Sequence, residues 1–308
     1  MTTMTSERPD LSPLAAELRE EFPGLTLLEC EPMMNHCAFR IGGPADLFCE
    51  VGDEETLADL HRWFAARGVP CVVIGNGTNL LVRDEGVRGA VVRLGGAFGE
   101  MHFNGTHITA GAGVSLARLA AAARDAGLAG LEFAHGIPGS LGGAVLMNAG
   151  AYGGEMRDVL RAVRWMDDAG GLHETDDLRL GYRRSRFSDG GGVILAAAMA
   201  LRPDDPAAIG ARMEELWEKR SASQPLDKPS AGSFFKRPAG GYAAAMIDAA
   251  GLRGLRVGGA QVSEKHAGFL INAGGATCAD VLSLMEKVQA AVREKYGVML
   301  EPEVRLLG

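Results

Sequence analysis

The sequence has no excess of positive charge and no long apolar run. Its 308 residues include 31 Lys and Arg against 39 Asp and Glu, which gives a formal net charge of −8 and a pI of about 5.5. Because an acidic surface repels phosphate backbones, we do not expect general nucleic-acid binding. No segment approaches the ~18 consecutive apolar residues of a membrane span, so none is predicted.

Cysteine pairs and metal-binding motifs are also missing. The five cysteines are odd in number and include no CxxC spacing, and the seven histidines form neither HExxH nor HxH. Most cysteines stand among apolar neighbours, as Cys71 does, and are predicted to be small buried side chains. The first ten residues are polar and contain no apolar segment typical of a signal peptide. We therefore expect no metal, no disulfide framework and a cytoplasmic location.

What is present is the composition of a globular protein that is rich in glycine. Hydrophobic residues make up 47% and charged residues 23% of the chain, and the length suggests about two domains. The 43 glycines are about twice the usual fraction, which is typical of tight turns or of backbone held against a ligand. Periodicity and stop signals predict helices at residues 12–21, 53–67, 116–126, 207–221, 242–250 and 278–295. Strand-like runs lie at residues 45–51, 69–74, 80–82, 90–94, 107–110, 160–167, 193–201 and 269–272.

Three glycine-rich segments carry the strongest functional signal. Residues 75–80 and 111–116 resemble the dinucleotide motif GxGxxG but have Leu80 and Leu116 where its third glycine should be, and no P-loop motif is present. Successive backbone N–H groups of such loops can nevertheless hold a diphosphate without any lysine. The alternative is that each segment is only a tight turn. Residues 136–153, which also contain Asn, Ser and Pro, are the least typical of a turn alone.

Six short motifs, in one order along the chain, resemble the UDP-N-acetylenolpyruvoylglucosamine reductase family. They read IGNGTNLLV (74–82), GIPGSLGG (136–143), NAGAYG (148–153), YRRSRF (182–187), AGSFFK (231–236) and LEPEVR (300–305). Each motif alone is modest, but together they make the resemblance specific over residues 35–307. The resemblance implies an enzyme of peptidoglycan precursor synthesis that binds FAD without a covalent link and uses NADPH as its reductant.

The resemblance also implies an α+β fold. Two FAD-binding subdomains of the vanillyl-alcohol-oxidase-like type would be followed by a smaller α/β substrate domain. On this basis we expect subdomain 1 at residues 22–95, subdomain 2 at residues 96–203 and the substrate domain at residues 207–300. Residues 301–308 would form a C-terminal segment that returns to the active site. A monomer is compatible with the sequence, which does not determine the oligomeric state.

The residues that bind FAD follow from the same resemblance. The loops at residues 75–79 and 136–140 would hold the diphosphate, and residues 148–153 would lie near the flavin ring. The predicted cofactor-binding residues are Gly75, Asn76, Gly77, Thr78, Asn79, Leu80, Gly136, Ile137, Pro138, Gly139, Ser140, Gly143, Asn148, Ala149 and Gly150.

Three catalytic residues are implied by the resemblance. NADPH would reduce the flavin, and hydride would then pass from the flavin to C3 of the enolpyruvyl ether, leaving negative charge on C2 and the carboxylate. Arg183 offers two N–H donors in a planar fork that can stabilise this charge. Glu303 would help only if it is protonated or shares a proton, which burial favours. Ser233 would protonate C2, since a hydroxyl as weakly acidic as that of serine suits a strongly basic carbon.

Tyr182, Lys236 and Gln261 are the predicted substrate contacts, the first two with phosphate or carboxylate groups. Few residues separate Phe187 from the strand that is predicted to end near residue 201. The chain therefore resembles the shorter type of family member, which lacks an extra loop with a substrate-binding tyrosine. Arg237 stands where some relatives carry Asn, so the contact made by that Asn is not transferred.

Two other functions would use the same glycine loops. Another FAD-dependent oxidoreductase of this fold, such as an oxidase of a hydroxy acid, would need the loops but not Arg183, Ser233 and Glu303. A non-catalytic protein that binds a nucleotide sugar would keep the pocket without the flavin. The small-molecule partners of the preferred function are UDP-N-acetylglucosamine enolpyruvate and NADPH.

Overall fold

The computed structural model describes residues 11–308, so the polar segment at residues 1–10 lies outside the described residues. Three sheets of four or five strands follow one another along the chain, with helices packed beside them. This mixture of helices and largely separate sheets confirms the α+β prediction. Within residues 11–308, no helix combines the length and apolar character that crossing a membrane requires.

The first unit is a four-stranded sheet in the order β1-β2-β5-β3, in which β2, β5 and β3 are parallel. Its elements are α1 (Ser12–Glu21), β1 (Thr26–Pro32), β2 (Pro44–Val51), α2 (Glu54–Ala66), β3 (Cys71–Ile74), β4 (Leu80–Val82) and β5 (Val87–Leu94). Helix α2 begins where Asp53 accepts a hydrogen bond from the backbone N–H of Thr56, at 2.8 Å. Its buried face includes Leu57, Leu60 and Phe64, as the periodicity predicted.

The second unit is a five-stranded antiparallel sheet in the order β12-β11-β13-β7-β6. Its elements are β6 (Met101–Asn104), β7 (His107–Gly111), α3 (Leu116–Asp125), β8 (Leu128–Ala129), α4 (Leu141–Leu146), β9 (Gly150–Ala151), β10 (Gly154–Glu155), β11 (Leu160–Met166), β12 (Leu172–Thr175), β13 (Val193–Ala200), β14 (Arg202–Pro203) and α5 (Pro206–Ser223).

Helix α5 packs on the second unit, although the sequence-based division assigned it to the third domain. Its buried Ile209 and Met213 belong to the same apolar cluster as Leu119 of α3 and Ile108 of β7. The helix therefore extends the core of the second sheet, and the third sheet begins only after it. The exact limits of the three domains stay a prediction.

The third unit contains a four-stranded antiparallel sheet in the order β15-β18-β17-β16. Its elements are β15 (Ser230–Ser233), α6 (Ala243–Ala249), β16 (Arg256–Val257), β17 (Ala260–Val262), β18 (Phe269–Asn272), α7 (Cys278–Tyr296) and β19 (Arg305–Leu307). Strand β19 leaves this unit and pairs in parallel with β4 of the first unit. Because β4 directly follows the first glycine loop, this pairing brings the C-terminal segment to that loop.

The first and third units share one apolar core. Phe39 and Val82 of the first unit lie in the same buried cluster as Phe234 and Val281 of the third. Asp84 adds a polar contact, since its carboxylate oxygens accept hydrogen bonds of 2.7 and 2.9 Å from the first two backbone N–H groups of α7. Burial and capping therefore hold the third sheet close to the first glycine loop.

Candidate active site

The two predicted cofactor loops touch each other. We call residues 75–79 the first loop and residues 136–140 the second loop. The Thr78 hydroxyl donates a hydrogen bond of 3.3 Å to the Pro138 carbonyl. A Cβ placed on Gly139, whose φ is +128°, would lie 3.0 Å from the Thr78 Oγ1 atom. The loops come from different units of the fold, so their contact creates a site that neither unit has alone.

Backbone donors line this contact. In the described part of the chain, the backbone N–H groups of Gly77, Thr78, Asn79 and Gly139 donate to no protein acceptor. Backbone N–H groups of this kind form anion-binding concavities. The donor set therefore fits a diphosphate. This supports the prediction that the glycine loops bind a cofactor and are not only tight turns.

Other predicted cofactor residues connect the second loop to the rest of the second unit. Ser140 is buried, precedes α4 and pairs with Ser115, so it ties the loop to the start of α3. Ile137 packs against the core of the second unit, and Gly143 lies inside α4. On the first loop, Asn76 is exposed, while Leu80 opens β4 opposite Arg305.

Asn148 has protein partners for its whole carboxamide group. The side chain is 0% exposed; its Oδ1 accepts from the Arg157 N–H at 2.9 Å. Its Nδ2 donates to the Glu155 carboxylate and to the Gly181 carbonyl, each at 3.0 Å. The sequence predicted a cofactor contact at this residue. Because this side chain is hydrogen-bonded within the protein, residues 148–150 can contribute to cofactor binding chiefly through their backbone. The hydrogen bonds of Asn148 hold that backbone in place.

Arg183 is held at the edge of the site by two contacts. Its Nε donates to the Glu303 carboxylate at 2.8 Å, and its Nη2 donates to the Gly150 carbonyl at 3.2 Å. The residue has a φ of +53° within a tight turn in which Gly181 and Arg184 pair. Most non-glycine residues avoid this conformation, and such strain is often found at functional sites. The turn thus aims the guanidinium at Glu303.

Ser233 and Glu303 are brought together by main-chain pairing. The Glu303 N–H donates to the Phe234 carbonyl at 2.8 Å, and the Lys236 N–H donates to the Glu301 carbonyl at 2.8 Å. The Asn79 side chain donates to the Glu303 carbonyl at 3.1 Å, which joins this ladder to the first loop. Arg183 and Glu303 are thus in direct contact although they are 120 positions apart in the chain, and Ser233 directly precedes the Phe234 that pairs with Glu303. Ser233 is exposed.

Burial gives Glu303 an unusual carboxyl group. Removal from water raises the pKa of Glu303 above its usual value of 4.5, and the charges of Arg183 and Lys236 oppose that rise without cancelling it. A carboxyl group with a raised pKa can hold a proton closer to neutral pH. A glutamate beside an anionic intermediate was predicted to need this ability to hold a proton.

The three residues predicted to bind substrate do not all lie at the same place. Tyr182 is exposed, and its hydroxyl oxygen accepts a 3.0 Å hydrogen bond from the backbone N–H of Arg237. Lys236 pairs with Glu301, two residues before the predicted catalytic Glu303. Gln261 lies on β17, two strands from β15, and its amide approaches the Gly254 carbonyl at 3.5 Å. Gln261 is thus not in contact with the other predicted residues.

Sequence reasoning missed the main-chain groups that complete the site. Three main-chain groups each hold one of the predicted site residues by a hydrogen bond. They are the carbonyls of Gly150 and Phe234 and the N–H of Arg237. No residue type signals such a role, because every residue supplies these groups. The cysteine prediction holds for Cys37, Cys49 and Cys278, which are buried, whereas Cys71 is only partly buried and Cys30 is exposed. Residues 11–308 contain no cluster of side chains able to bind a metal.

Comparisons with known proteins agree with this arrangement. An FAD binding domain model matches residues 45–176, which contain both glycine loops. A model for the C-terminal domain of UDP-N-acetylenolpyruvoylglucosamine reductase matches residues 224–307, which contain Ser233 and Glu303. FAD is thereby confirmed as the predicted cofactor.

Several known proteins are similar to this chain over nearly its whole length. The enzyme of that name from Agathobacter rectalis is 48% identical over 94% of this chain and 96% of its own. The one from Syntrophomonas wolfei is 46% identical over 90% of this chain and 94% of its own. The crystal structure of UDP-N-acetylenolpyruvylglucosamine reductase from Thermus caldophilus superposes with a TM-score of 0.79 at 38% identity, over 92% of this chain and 99% of that one. With its glycine loops and its predicted catalytic residues in the regions that these proteins share, the chain belongs to the UDP-N-acetylenolpyruvoylglucosamine reductase family.

Proposed function

We propose that this chain reduces UDP-N-acetylglucosamine enolpyruvate to UDP-N-acetylmuramate, with FAD as its cofactor and NADPH as the reductant. The observation that carries this proposal is the meeting of Arg183, Ser233 and Glu303 beside the two touching loops. The product is a precursor of peptidoglycan, so the enzyme serves cell-wall synthesis. The cytoplasmic location expected from the sequence stays a prediction, as does the monomer.

The two loops provide the binding site for the cofactor. The free N–H groups of Gly77, Thr78, Asn79 and Gly139 suit the two phosphates of FAD. Bound FAD supplies hydride transfer from NADPH to the substrate. The loop backbone and the Thr78 hydroxyl would hold the diphosphate of the cofactor, and residues 148–150 would border its flavin ring.

Arg183 binds the substrate carboxylate and stabilises the charge that forms on it. The Arg183 side chain is only 22% exposed, so water screens its charge weakly. A fixed donor of this kind is typically worth roughly 3–4 kcal/mol of activation barrier. The substrate carboxylate shares Arg183 with Glu303, and two carboxylates on one guanidinium favour a shared proton. Glu303 would help this step by holding or sharing a proton, which the rise of its pKa through burial favours.

Ser233 donates the proton that completes the reaction at C2. The Glu303 backbone pairs with Phe234, the residue after Ser233, and Glu303 is the group that would return a proton to the hydroxyl. Tyr182 and Lys236 bind anionic groups of the nucleotide, and Gln261 contacts the nucleotide from β17. Closure of these residues around the substrate would also exclude water from the reactive carbon.

The test follows the two half-reactions in the purified protein. Flavin absorbance in the isolated protein is expected, and NADPH should bleach it in the absence of oxygen. Addition of the enolpyruvyl nucleotide should then restore the colour without oxygen. Failure of the colour to return would indicate a different FAD-dependent oxidoreductase, and a colourless protein would indicate a non-catalytic nucleotide-sugar-binding protein.

Replacement of Gly139 by valine should yield protein with little flavin. The new side chain would start 3.0 Å from the Thr78 Oγ1 atom and would separate the two loops. Gly274 is a matched control, because it has the same φ of +128° but no atom within 4 Å of a Cβ placed there. Both variants would carry backbone strain of about 1–3 kcal/mol, so flavin lost only in Gly139→Val would report the loop contact. The measurement is the flavin-to-protein absorbance ratio, and equal ratios in the two variants would contradict the role of the second loop.

A further inference from the structure

The ammonium group of Lys236 already has an acidic partner in the protein. Its Nζ donates a hydrogen bond to the Glu301 carboxylate and forms an ion pair with it. The proposed function assigns the same ammonium to an anionic group of the nucleotide. An ammonium has enough N–H donors for two acceptors, but two anions held on one cation repel each other. Glu301 and the substrate therefore compete for one positive charge.

The main chain places Glu301 opposite Lys236. Residues 234–236 and 301–303 run antiparallel to each other. The Lys236 N–H donates to the Glu301 carbonyl at 2.8 Å, so the two residues are direct neighbours across this short ladder. Side chains of directly opposite residues in an antiparallel pair lie on the same face, with Cβ atoms about 5 Å apart. The contact therefore follows from the backbone, and it re-forms whenever both side chains are free.

This ion pair is the outer end of a line of four charges of alternating sign. Arg183 donates to Glu303 at 2.8 Å. Burial raises the pKa of Glu303, and the charges of Arg183 and Lys236 both act against that rise. Side-chain exposure increases outward, from 16% at Glu303 to 32% at Lys236 and 69% at Glu301. Because exposed ion pairs are weak and buried ones are costly to break, Glu301 is the member of the line that an incoming anion displaces most easily.

We propose that Glu301 is an internal competitor that limits the affinity of the site for its nucleotide. Its carboxylate pairs with Lys236 until an anionic group of the nucleotide takes its place and Glu301 turns into solvent. The proposal rests on the proposed function, because that function makes Lys236 a contact for the nucleotide. Glu301 touches no reacting atom and acts only through Lys236.

Such competition assists the release of product. Substrate and product carry the same nucleotide, so a contact with Lys236 stabilises both of them and does not accelerate the chemistry. Tight binding of the product would slow the next cycle, since product release limits the rate of many enzymes. The ion pair with Glu301 re-forms as the product leaves, which offsets part of the lost contact. Removal of the Glu301 charge should therefore tighten the binding of substrate and product alike.

The test compares Glu301→Gln with Glu215→Gln. Glu215 is also exposed and pairs with a lysine, Lys219, but both of these residues lie on α5. Titration of the oxidised holoprotein with substrate or product, followed by flavin absorbance, gives the two dissociation constants without turnover. We expect Glu301→Gln to lower both constants by about two- to fivefold, which is the range for an exposed ion pair. The control should leave both at the wild-type values.

The rate of the second half-reaction at saturating substrate separates binding from chemistry. In Glu301→Gln this rate constant should change by less than the dissociation constants do. A larger change in the rate than in binding would place Glu301 in the chemical step and overturn the proposal. Unchanged or raised dissociation constants would overturn it as well, since Glu301 would then have no influence or would hold Lys236 ready for the substrate. A wild-type protein that does not reduce the enolpyruvyl nucleotide would instead overturn the proposed function.

The variant Lys236→Gln shows whether Glu301 acts through Lys236. It should bind the nucleotide about tenfold more weakly than the wild type, because a hydrogen bond to a charged group is lost. Adding Glu301→Gln to this variant should give no tightening, since no ammonium remains to be released. If Glu301→Gln still tightens binding in this background, Glu301 repels the nucleotide directly and the proposal is wrong.

Discussion

The Ser233→Ala variant is expected to take hydride from NADPH at the wild-type rate and to lose about 10²–10⁴-fold in reduction of the enolpyruvyl nucleotide. Only the second half-reaction needs a proton at C2, and Ser233 is the exposed hydroxyl on β15 beside Glu303. The alanine side chain keeps the strand and its pairing with Phe269. The expected loss is therefore in chemistry and not in folding.

Stopped-flow absorbance of the flavin separates the two half-reactions. Ser230→Ala is the control, since Ser230 opens the same strand but lies three positions from the catalytic point. It should leave both rates close to wild type. Equal losses in the two half-reactions of Ser233→Ala would contradict proton donation and would indicate a disturbed cofactor site.

Arg183→Gln is expected to lower the turnover number by about 10²–10³-fold, because it removes the charge that stabilises the anionic intermediate. It should also change the pH dependence. The positive charge of Arg183 lowers the pKa of Glu303, while burial raises it. Without Arg183, burial acts with less opposition and the pKa of Glu303 rises further. If the protonated carboxyl is the active form, the decline of the residual rate at high pH should move to higher pH.

A pH profile of the second half-reaction tests this prediction. Arg184→Gln is a matched control, because Arg184 is the next residue but is exposed and pairs with Asp189. The control should keep both the rate and the profile of the wild type. A decline that moves to lower pH in Arg183→Gln would contradict the assigned role of Glu303.

Elements with strong local signals could be predicted from the sequence. Helix α7 was predicted at residues 278–295 and occupies Cys278–Tyr296, because a capping box at Thr277 begins it and Gly297, with a φ of +68°, ends it. Helix α4 was missed, since two glycines in its six residues disfavour a helix. Strands β15 and β19 were missed as well, because they are short and their stability comes from partners that are distant in sequence.

The site could be predicted only in part. The family resemblance named Arg183, Ser233 and Glu303, but no local pattern contains the pairing of β19 with β4 that brings Glu303 to the first loop. The partners of the Asn148 side chain were not predicted either, because no local pattern shows that its carboxamide is bonded to Arg157 and to Gly181.

The parallel pairing of β19 with β4 also determines when the enzyme can first become active during its synthesis. The ribosome produces both glycine loops, Arg183 and Ser233 before it reaches Glu303, and domains generally begin to fold as they emerge. A nascent chain that stops before residue 303 lacks the carboxylate that we propose to be catalytic and the strand that would border β4. Translation must therefore pass the last strand before the proposed site can be complete.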